Sequence, residues 1–372
     1  MVGAGQLARM GWQAAISLDI GLVCLGSAGD AAARAGAPLM EGSGREGATL
    51  ARLAAGSQVL TFEHELVDLA ALGRLEAQGV VARPSAAVLS LAADKLRQRR
   101  TLDTLTGVEV PAFTPVTSIG EVEEFAAAHG WPLVLKARSG GYDGRGVWIC
   151  DDGRAAGQAF AEAAAAGLEL YAEQAIDLAG EAAVLVARSP SGEVAVYPAV
   201  STYQRDGMCR WVTLPASLPD GLDTKIGRLA RTLAEETQLE GLMAVELFLT
   251  REGGLLVNEL ALRTHNTGHI HTEAAVTSQF EQHLRAVLDL PLGLTSPVVP
   301  AAAMVNIVGP ADGSDPATRL AAALAVPGAH VHLYGKGTRP GRKLGHVTVC
   351  AQTSEEALAL AQEAADRLEG NG

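Results

Sequence analysis

The sequence lacks any pattern that would commit its cysteines to a metal or a disulfide. Cys24, Cys150, Cys209 and Cys350 stand alone, with no C-x-x-C pair and no Cys/His cluster at zinc spacing, which argues against structural zinc. Scattered single cysteines in an enzyme-sized chain point to reduced thiols and a cytoplasmic setting. No run of about 18 apolar residues is present, so no membrane span is expected. Met1-Val2-Gly3 carries neither a charged leader nor an apolar stretch, so no export signal is expected. Positive charge is scarce as well: the formal net charge is −13, and the densest basic run, 97–100, covers four residues. A nucleic-acid partner needs a basic stripe to neutralise phosphates and is not expected; a small anion needs only a local basic pocket. Aromatic residues are few, at 4%, and charged residues make up 19%, too low for long disordered stretches. What is abundant is alanine-rich apolar material: 48% of the 372 residues are hydrophobic, enough for two or three domains with closely packed helices.

The chain opens with a glycine turn, Gly3-Ala4-Gly5-Gln6, then a helical pattern to about Leu18 and a short buried strand over 21–26. This β-turn-α-β order begins an open α/β sheet, although Met1 leaves almost nothing for the first strand. The turn is either a tight structural turn or a ligand loop at a helix N-terminus. A strand over 59–63 ends in Glu63, placed where α/β sheets bind ligands or, alternatively, as an acid ahead of a helix over 66–75. Residues 84–93 read as a connection, and Asp94-Lys95 opens a helix to about Leu105. A helix (121–129), strands (133–136 and 147–150), a helix (155–166) and a strand (168–173) then give an αββαβ unit, the order of a small lid domain. Strands over 182–187, 194–200, 243–249 and 255–258 and helices over 223–237 and 278–288 follow. From Thr295 on, short β segments, a basic loop (335–343) and a last helix (354–368) read as an appended subdomain.

Four constellations carry chemistry. Residues 140–146 place four glycines in seven positions between two strands, so backbone N–H groups can approach phosphate oxygens; Lys136, ending the preceding strand, reaches the same place as a point charge. A Walker-type loop is excluded because no helix follows and Gly-Lys-Ser/Thr is missing. Glu246 and Glu259 lie in apolar runs on either side of a hairpin turn at 250–254, so they should face each other on antiparallel strands. Acids in such runs are costly to bury without a cation, and two carboxylates with Asn258 match the oxygen preference of Mg2+; two solvent-facing acids are the alternative. Arg263, Thr264, His265, Asn266, Thr267, Gly268 and His269 then pack a cation, two imidazoles and an amide into one loop. The two histidines lack the H-E-x-x-H pattern of zinc enzymes, so the loop reads as a small-anion site. Finally, Lys336, Arg339, Arg342 and Lys343 put four cations in eight residues, an anion cradle or a solvated loop.

Taken in order, these motifs resemble the ATP-grasp superfamily, and within it the N5-carboxyaminoimidazole ribonucleotide synthases of purine biosynthesis. The most specific pieces are the 140–146 loop, the run from Asn258 to His269, the run from Ser278 to Ala286, and Arg339-Pro340-Gly341-Arg342-Lys343 with Gly345-His346. The resemblance covers essentially the whole chain. It implies α/β and α+β architecture: a Rossmann-like N-terminal α/β domain (1–92), an ATP-grasp lid (93–172), the ATP-grasp large domain (173–294) and a β-rich C-terminal subdomain packed on the catalytic core (295–372). It implies that ATP phosphorylates bicarbonate to carboxyphosphate, which the amine of 5-aminoimidazole ribonucleotide captures, and it implies a homodimer.

By motif, the nucleotide would meet Lys95, Lys136, Gly140, Gly141, Tyr142, Asp143, Gly144, Arg145, Gly146, Glu173, Gln174, Ala175, Ile176, Glu181, Gln204, Asn258 and Glu259. Glu246 and Glu259 would hold Mg2+. Gln6, Glu63, Tyr142, Asp143, Arg145, Arg263, Lys336, Arg342 and Lys343 would form the ribonucleotide pocket. His265 and Asn266, with Arg263, would hold bicarbonate and carboxyphosphate, and Asp143 would contact the amine as acceptor or base. Leu262 and Thr264 stand where relatives often carry prolines around Arg263, so that loop is expected to be less rigid. A sister ligase, formate-dependent glycinamide ribonucleotide transformylase or a biotin carboxylase-like enzyme, would share the phosphate and metal parts; Tyr142-Asp143 and 339–343 discriminate. A non-catalytic nucleotide-binding subunit conflicts with intact Lys136, Glu246, Glu259 and His265. A dehydrogenase would rest on the first glycine turn alone, with Asp30 as its only candidate ribose acid.

Overall fold

The computed structural model describes residues 1–140 and 146–371. The N-terminal layer is parallel. Cys24–Gly26 pairs with Leu39–Glu41, and Val2 bridges Leu25 on one side and Phe62 on the other. The clipped first strand is therefore two bridging residues, Val2 and Gly3, held by Val2 N–H to Thr61 O (2.7 Å), Glu63 N–H to Val2 O (2.8 Å) and Gly3 N–H to Leu25 O (3.0 Å). The strand expected over 59–63 is reduced to bridges at Leu60 and Phe62.

Residues 84–93 are a helix, Ala86–Ala93, where a connection was expected; the Ser85 hydroxyl caps it by accepting from Val88 N–H. Its apolar residues lie on all sides, so no helical period could be read. The reason is its position: Leu89 packs into the N-terminal core while Val88 and Leu91 pack into the main core.

The lid is a four-stranded antiparallel sheet in the order Phe113–Val116, Leu170–Gln174, Leu133–Ala137, Val147–Cys150. Helices Ile119–His129 and Gly153–Ala165 back it, the second through Ala156, Ala159 and Ala163, whose small side chains allow close approach. Its first strand had not been expected, because Pro115 interrupts it; Pro115 is tolerated on an edge strand.

The main sheet has nine antiparallel strands. Leu255–Ala261, Gly241–Thr250, Leu178–Arg188, Val200–Arg205, Met208–Leu214, Ala301–Val308, Lys343–Ala351 and His330–Leu333 run in that order, with Val194–Val196 attached to Leu178–Arg188. The C-terminal segment thus continues the main sheet: Trp211 pairs with Val305 and Leu214 with Ala302. One face is covered by helix Leu222–Glu236, whose Ile226, Ala230 and Leu233 pack on Val184, Met243, Val245 and Leu247. On the other face, Leu185, Leu242 and Ala244 are covered near helix Gln279–Val287 through Ala286. That cover stops short of Glu181, Glu246 and Glu259, which leaves a partly open polar end of the sheet. Among the described residues no helix is long and apolar enough to cross a membrane, and the four cysteines are free.

Candidate active site

Glu246 and Glu259 are direct cross-strand partners, and the register slips immediately after Glu246, so Asn258 bulges beside them. Asn258 Nδ2 donates to Glu246 Oε2 at 3.3 Å. Strand alternation brings a third acid to the same face: Glu181 pairs with Phe248, two residues beyond Glu246. Burial, then the neighbouring Glu259, pushes Glu246 up to about 7. Burial likewise raises Glu181 to about 7. Glu259 moves the other way: burial opposes ionisation, but Lys95 outweighs it and holds the carboxyl below its usual range. Glu246 thus tends to keep its proton unless a cation replaces it, and the donors of the pair are all oxygens, which fits a hard divalent cation.

The cations come from two other elements. Lys95 Nζ donates to Glu259 Oε2 at 2.8 Å. Lys136 Nζ donates to Glu173 Oε1 at 2.6 Å and to Asn258 Oδ1 at 3.3 Å, bridging the lid and main sheets. Burial, reinforced by Arg99 and opposed by Glu173, holds the Lys136 ammonium below its usual range. The Glu173 side chain is buried against Lys136 and Arg99 Nη2, so it anchors the strand end. Adenine contacts from 173–176 would then fall to the backbone and to Gln174, Ala175 and Ile176, which are partly exposed; Gln174 N–H is engaged with Ala112 O. Gln204 lies two residues beyond Thr202, the cross-strand partner of Glu181, and shares its face. Gly140 and Gly146 frame the glycine loop with φ of 77° and 72°, in the left-handed region that favours glycine. Gly141, Tyr142, Asp143, Gly144 and Arg145 lie outside the described residues.

The loop after the hairpin turns back on the carboxylates. His265 Nε2 lies 3.5 Å from Glu246 Oε1, and its Nδ1 is 2.9 Å from Thr267 Oγ1. Gln279 fixes the His265 backbone from both sides, accepting from its N–H (2.8 Å) and donating to its carbonyl (2.7 Å). Gly268 is forced by this clamp, because a Cβ there would collide with the Gln279 side chain and Leu185. Asn266 is engaged in a reciprocal amide pair with Asn306 (2.8 and 2.9 Å), so its side chain faces the C-terminal strand. Arg263 points to the N-terminal layer, with Nε 3.5 Å from Glu65 Oε2. Leu262 and Thr264 are both buried, so packing anchors the loop where prolines were absent.

The C-terminal basic loop reaches the same region. Lys343 is close enough to lower the Glu246 carboxyl electrostatically. Lys336 Nζ donates to Lys343 O at 3.5 Å, and Arg342 Nη1 to Gly337 O at 3.0 Å. Gln6 opens helix Gln6–Ser17 and is partly exposed. Glu63 is buried with its carboxylate on the amides of Gly5 (2.5 Å) and Leu7 (3.0 Å). It therefore fills the anion position of the first helix, and the glycine turn is capped by the protein itself. Gly3, at φ 110°, has Glu63 where its Cβ would be.

Four contributors were given no role from the sequence: Gln98, Arg99, Gln279, which lies in the run from Ser278 to Ala286, and Asn306. Arg99 had a signal, since it lies four residues after Lys95 and so shares its helical face. Asn306 is a lone amide in an apolar strand, a pattern that costs free energy unless the amide is bonded.

Residues 102–280 match the ATP-grasp domain family, residues 302–360 the phosphoribosylaminoimidazole carboxylase C-terminal domain, and residues 1–93 the ribonucleotide synthetase preATP-grasp domain. The N5-carboxyaminoimidazole ribonucleotide synthase of Mycobacterium tuberculosis is 48% identical over 354 residues, covering 93% of this chain and 82% of its own. The crystal structure of carboxyaminoimidazole ribonucleotide synthase from Aspergillus clavatus complexed with ATP superposes with a TM-score of 0.91 at 33% identity, covering 100% of this chain and 98% of that one. The same fungal synthase in complex with ADP and 5-aminoimidazole ribonucleotide gives a TM-score of 0.90 at 33% identity, covering 99% and 97%.

Proposed function

The chain belongs to the N5-carboxyaminoimidazole ribonucleotide synthases, an ATP-grasp family, and from that premise we propose that it carboxylates 5-aminoimidazole ribonucleotide with ATP and bicarbonate, giving N5-carboxyaminoimidazole ribonucleotide, ADP and phosphate in purine biosynthesis. The observation that carries this reading is the in-register pair Glu246 and Glu259, with Lys95, Lys136 and His265 converging on the same open end of the sheet.

Glu246, Glu259 and the Asn258 amide oxygen are the residues that would hold Mg2+, which when bound neutralises phosphate charge. Lys95 and Lys136 would exchange their carboxylate partners for phosphate oxygens. Glu181 would accept from a ribose hydroxyl. A bicarbonate oxygen attacks the γ-phosphorus and ADP departs; His265 would hold the bicarbonate in line, and Arg263, which now faces Glu65, is assigned to it by motif alone. The aminoimidazole nitrogen then attacks the carboxyl carbon of carboxyphosphate, phosphate leaves with one former bicarbonate oxygen, and the amine proton passes to a base. Asp143 is assigned to that proton, and Tyr142 and Arg145 to the ribonucleotide, by motif alone. Lys336, Arg342 and Lys343 would receive its phosphate. Carboxyphosphate is hydrolysed readily, so closure of the lid sheet would exclude water.

The reading includes a cytoplasmic setting, supported by the free thiols, and a homodimer. Exposed Val276 and Val298, on either side of the Ala275–Pro297 bridge, support a contact between copies.

The test is phosphate release with Mg-ATP and bicarbonate, with and without aminoimidazole ribonucleotide, coupled to mass detection of the carboxylated nucleotide. Stimulation by the ribonucleotide with matching product is expected. Stimulation by formate and glycinamide ribonucleotide instead would assign the chain to the sister ligase.

A further inference from the structure

Behind the substrate face lie three imidazoles that this chemistry does not use. His346 is sandwiched between His269, at 4.4 Å and 8° between ring planes, and His332, at 4.5 Å and 16°. His269 and His346 are fully buried, while the outer His332 bonds Glu273 through Nε2 at 2.6 Å. His346 Nδ1 is 2.8 Å from the Tyr334 hydroxyl. Burial holds both inner imidazoles well below the usual histidine range and pushes the Tyr334 phenol up. The phenol therefore keeps its proton and shares a hydrogen bond with a neutral imidazole.

Tyr334 is where three ligand-bearing pieces meet. Its ring packs with Leu7 and Met10 of the helix that begins at Gln6, and with Phe280. Lys336 Nζ stands 5.4 Å from the ring centroid, within cation–π range. His346 in turn lies flat on His269, four residues after His265, and is the cross-strand partner of Asn306, which bonds Asn266. One imidazole thus touches the residue under the basic loop and the residue under the anion loop.

We propose that His346 is a positioning residue of the ribonucleotide pocket: by orienting the Tyr334 hydroxyl and stacking on His269, it sets Lys336 and the 265–269 loop at their working separation. The proposal rests on the carboxylation reading above, and the two fail in different ways. If the wild-type protein shows no ribonucleotide-stimulated phosphate release, the reaction is misassigned.

If it does, Tyr334→Phe is decisive, because it removes one hydroxyl and keeps the ring beneath Lys336. The expected result is a KM for aminoimidazole ribonucleotide raised about tenfold, with kcat and the KM for ATP within about twofold. His346→Leu should give the same split, His346→Asn should restore part of it by returning a hydrogen-bonding group, and the Tyr334→Phe/His346→Leu double variant should be no worse than His346→Leu. An unchanged ribonucleotide KM in Tyr334→Phe, equal losses for both substrates, or additive losses in the double variant would overturn the proposal. Should His346→Leu not fold, Tyr334→Phe alone decides.

Discussion

Glu246 is a carboxyl whose charged form its protein surroundings disfavour. Burial and the facing Glu259 raise it to about 7 from the ordinary value of 4.5. Between these two values the folded protein holds a proton that the unfolded chain releases, so ligand-free stability should fall as pH rises through that window. A divalent cation bound at the pair displaces the same proton. Its apparent affinity should therefore weaken below pH 7, by up to about tenfold per unit. Magnesium titrations of nucleotide binding at pH 6, 7 and 8 check this, and an affinity flat across the three would contradict it. Glu259→Gln removes a donor and the Lys95 partner together; phosphate release should drop at least about a hundredfold, and near-normal turnover would refute the metal assignment. Lys343 is assigned to the ribonucleotide pocket by the proposal above. Lys343→Ala should mainly raise the ribonucleotide KM, by about tenfold, with kcat little changed. A change confined to the ATP KM would move the basic loop to the nucleotide side.

One helix does much of the assembly. Lys95–Asp103 presents Lys95, Gln98 and Arg99 along one face. Lys95 reaches Glu259, Gln98 bonds the Leu260 backbone in both directions, and Arg99 bonds Val257 O and Glu173. Arg99→Ala leaves the buried Glu173 carboxylate with Lys136 as its remaining cation, and breaking a buried pair in this way costs about 3 kcal/mol. Urea denaturation should show that loss; a cost below about 1 kcal/mol would mean that Lys136 alone suffices. The hairpin bearing both acids was legible because its turn at 250–254 and its alternation set the register locally. Helix Ala86–Ala93 was not, since it is apolar on every side and no period marks it. Strand Phe113–Val116 was hidden by its proline and Met208–Leu214 by its mixed polarity. The roles of Gln279 and Asn306 were not legible for another reason: each acts on a residue outside its own element, and only the fold brings them together.

At the scale of the whole molecule, the chain reads as modules in sequence and is joined in space. The C-terminal strands looked like an addition, yet they extend the sheet that carries the carboxylates, and through Asn306 and His346 they grip the loop that follows them. The lid is tied to that sheet by Lys136, which touches acid and amide on both sides. This arrangement suits a labile intermediate made at one wall and consumed at the other. The most direct test follows the oxygen atoms. With heavy-oxygen-labelled bicarbonate, ATP and aminoimidazole ribonucleotide, each released phosphate should carry one labelled oxygen, because the bond to phosphorus forms from bicarbonate before carbon is transferred. Phosphate whose new oxygen comes only from water would contradict activation of bicarbonate at Glu246 and Glu259.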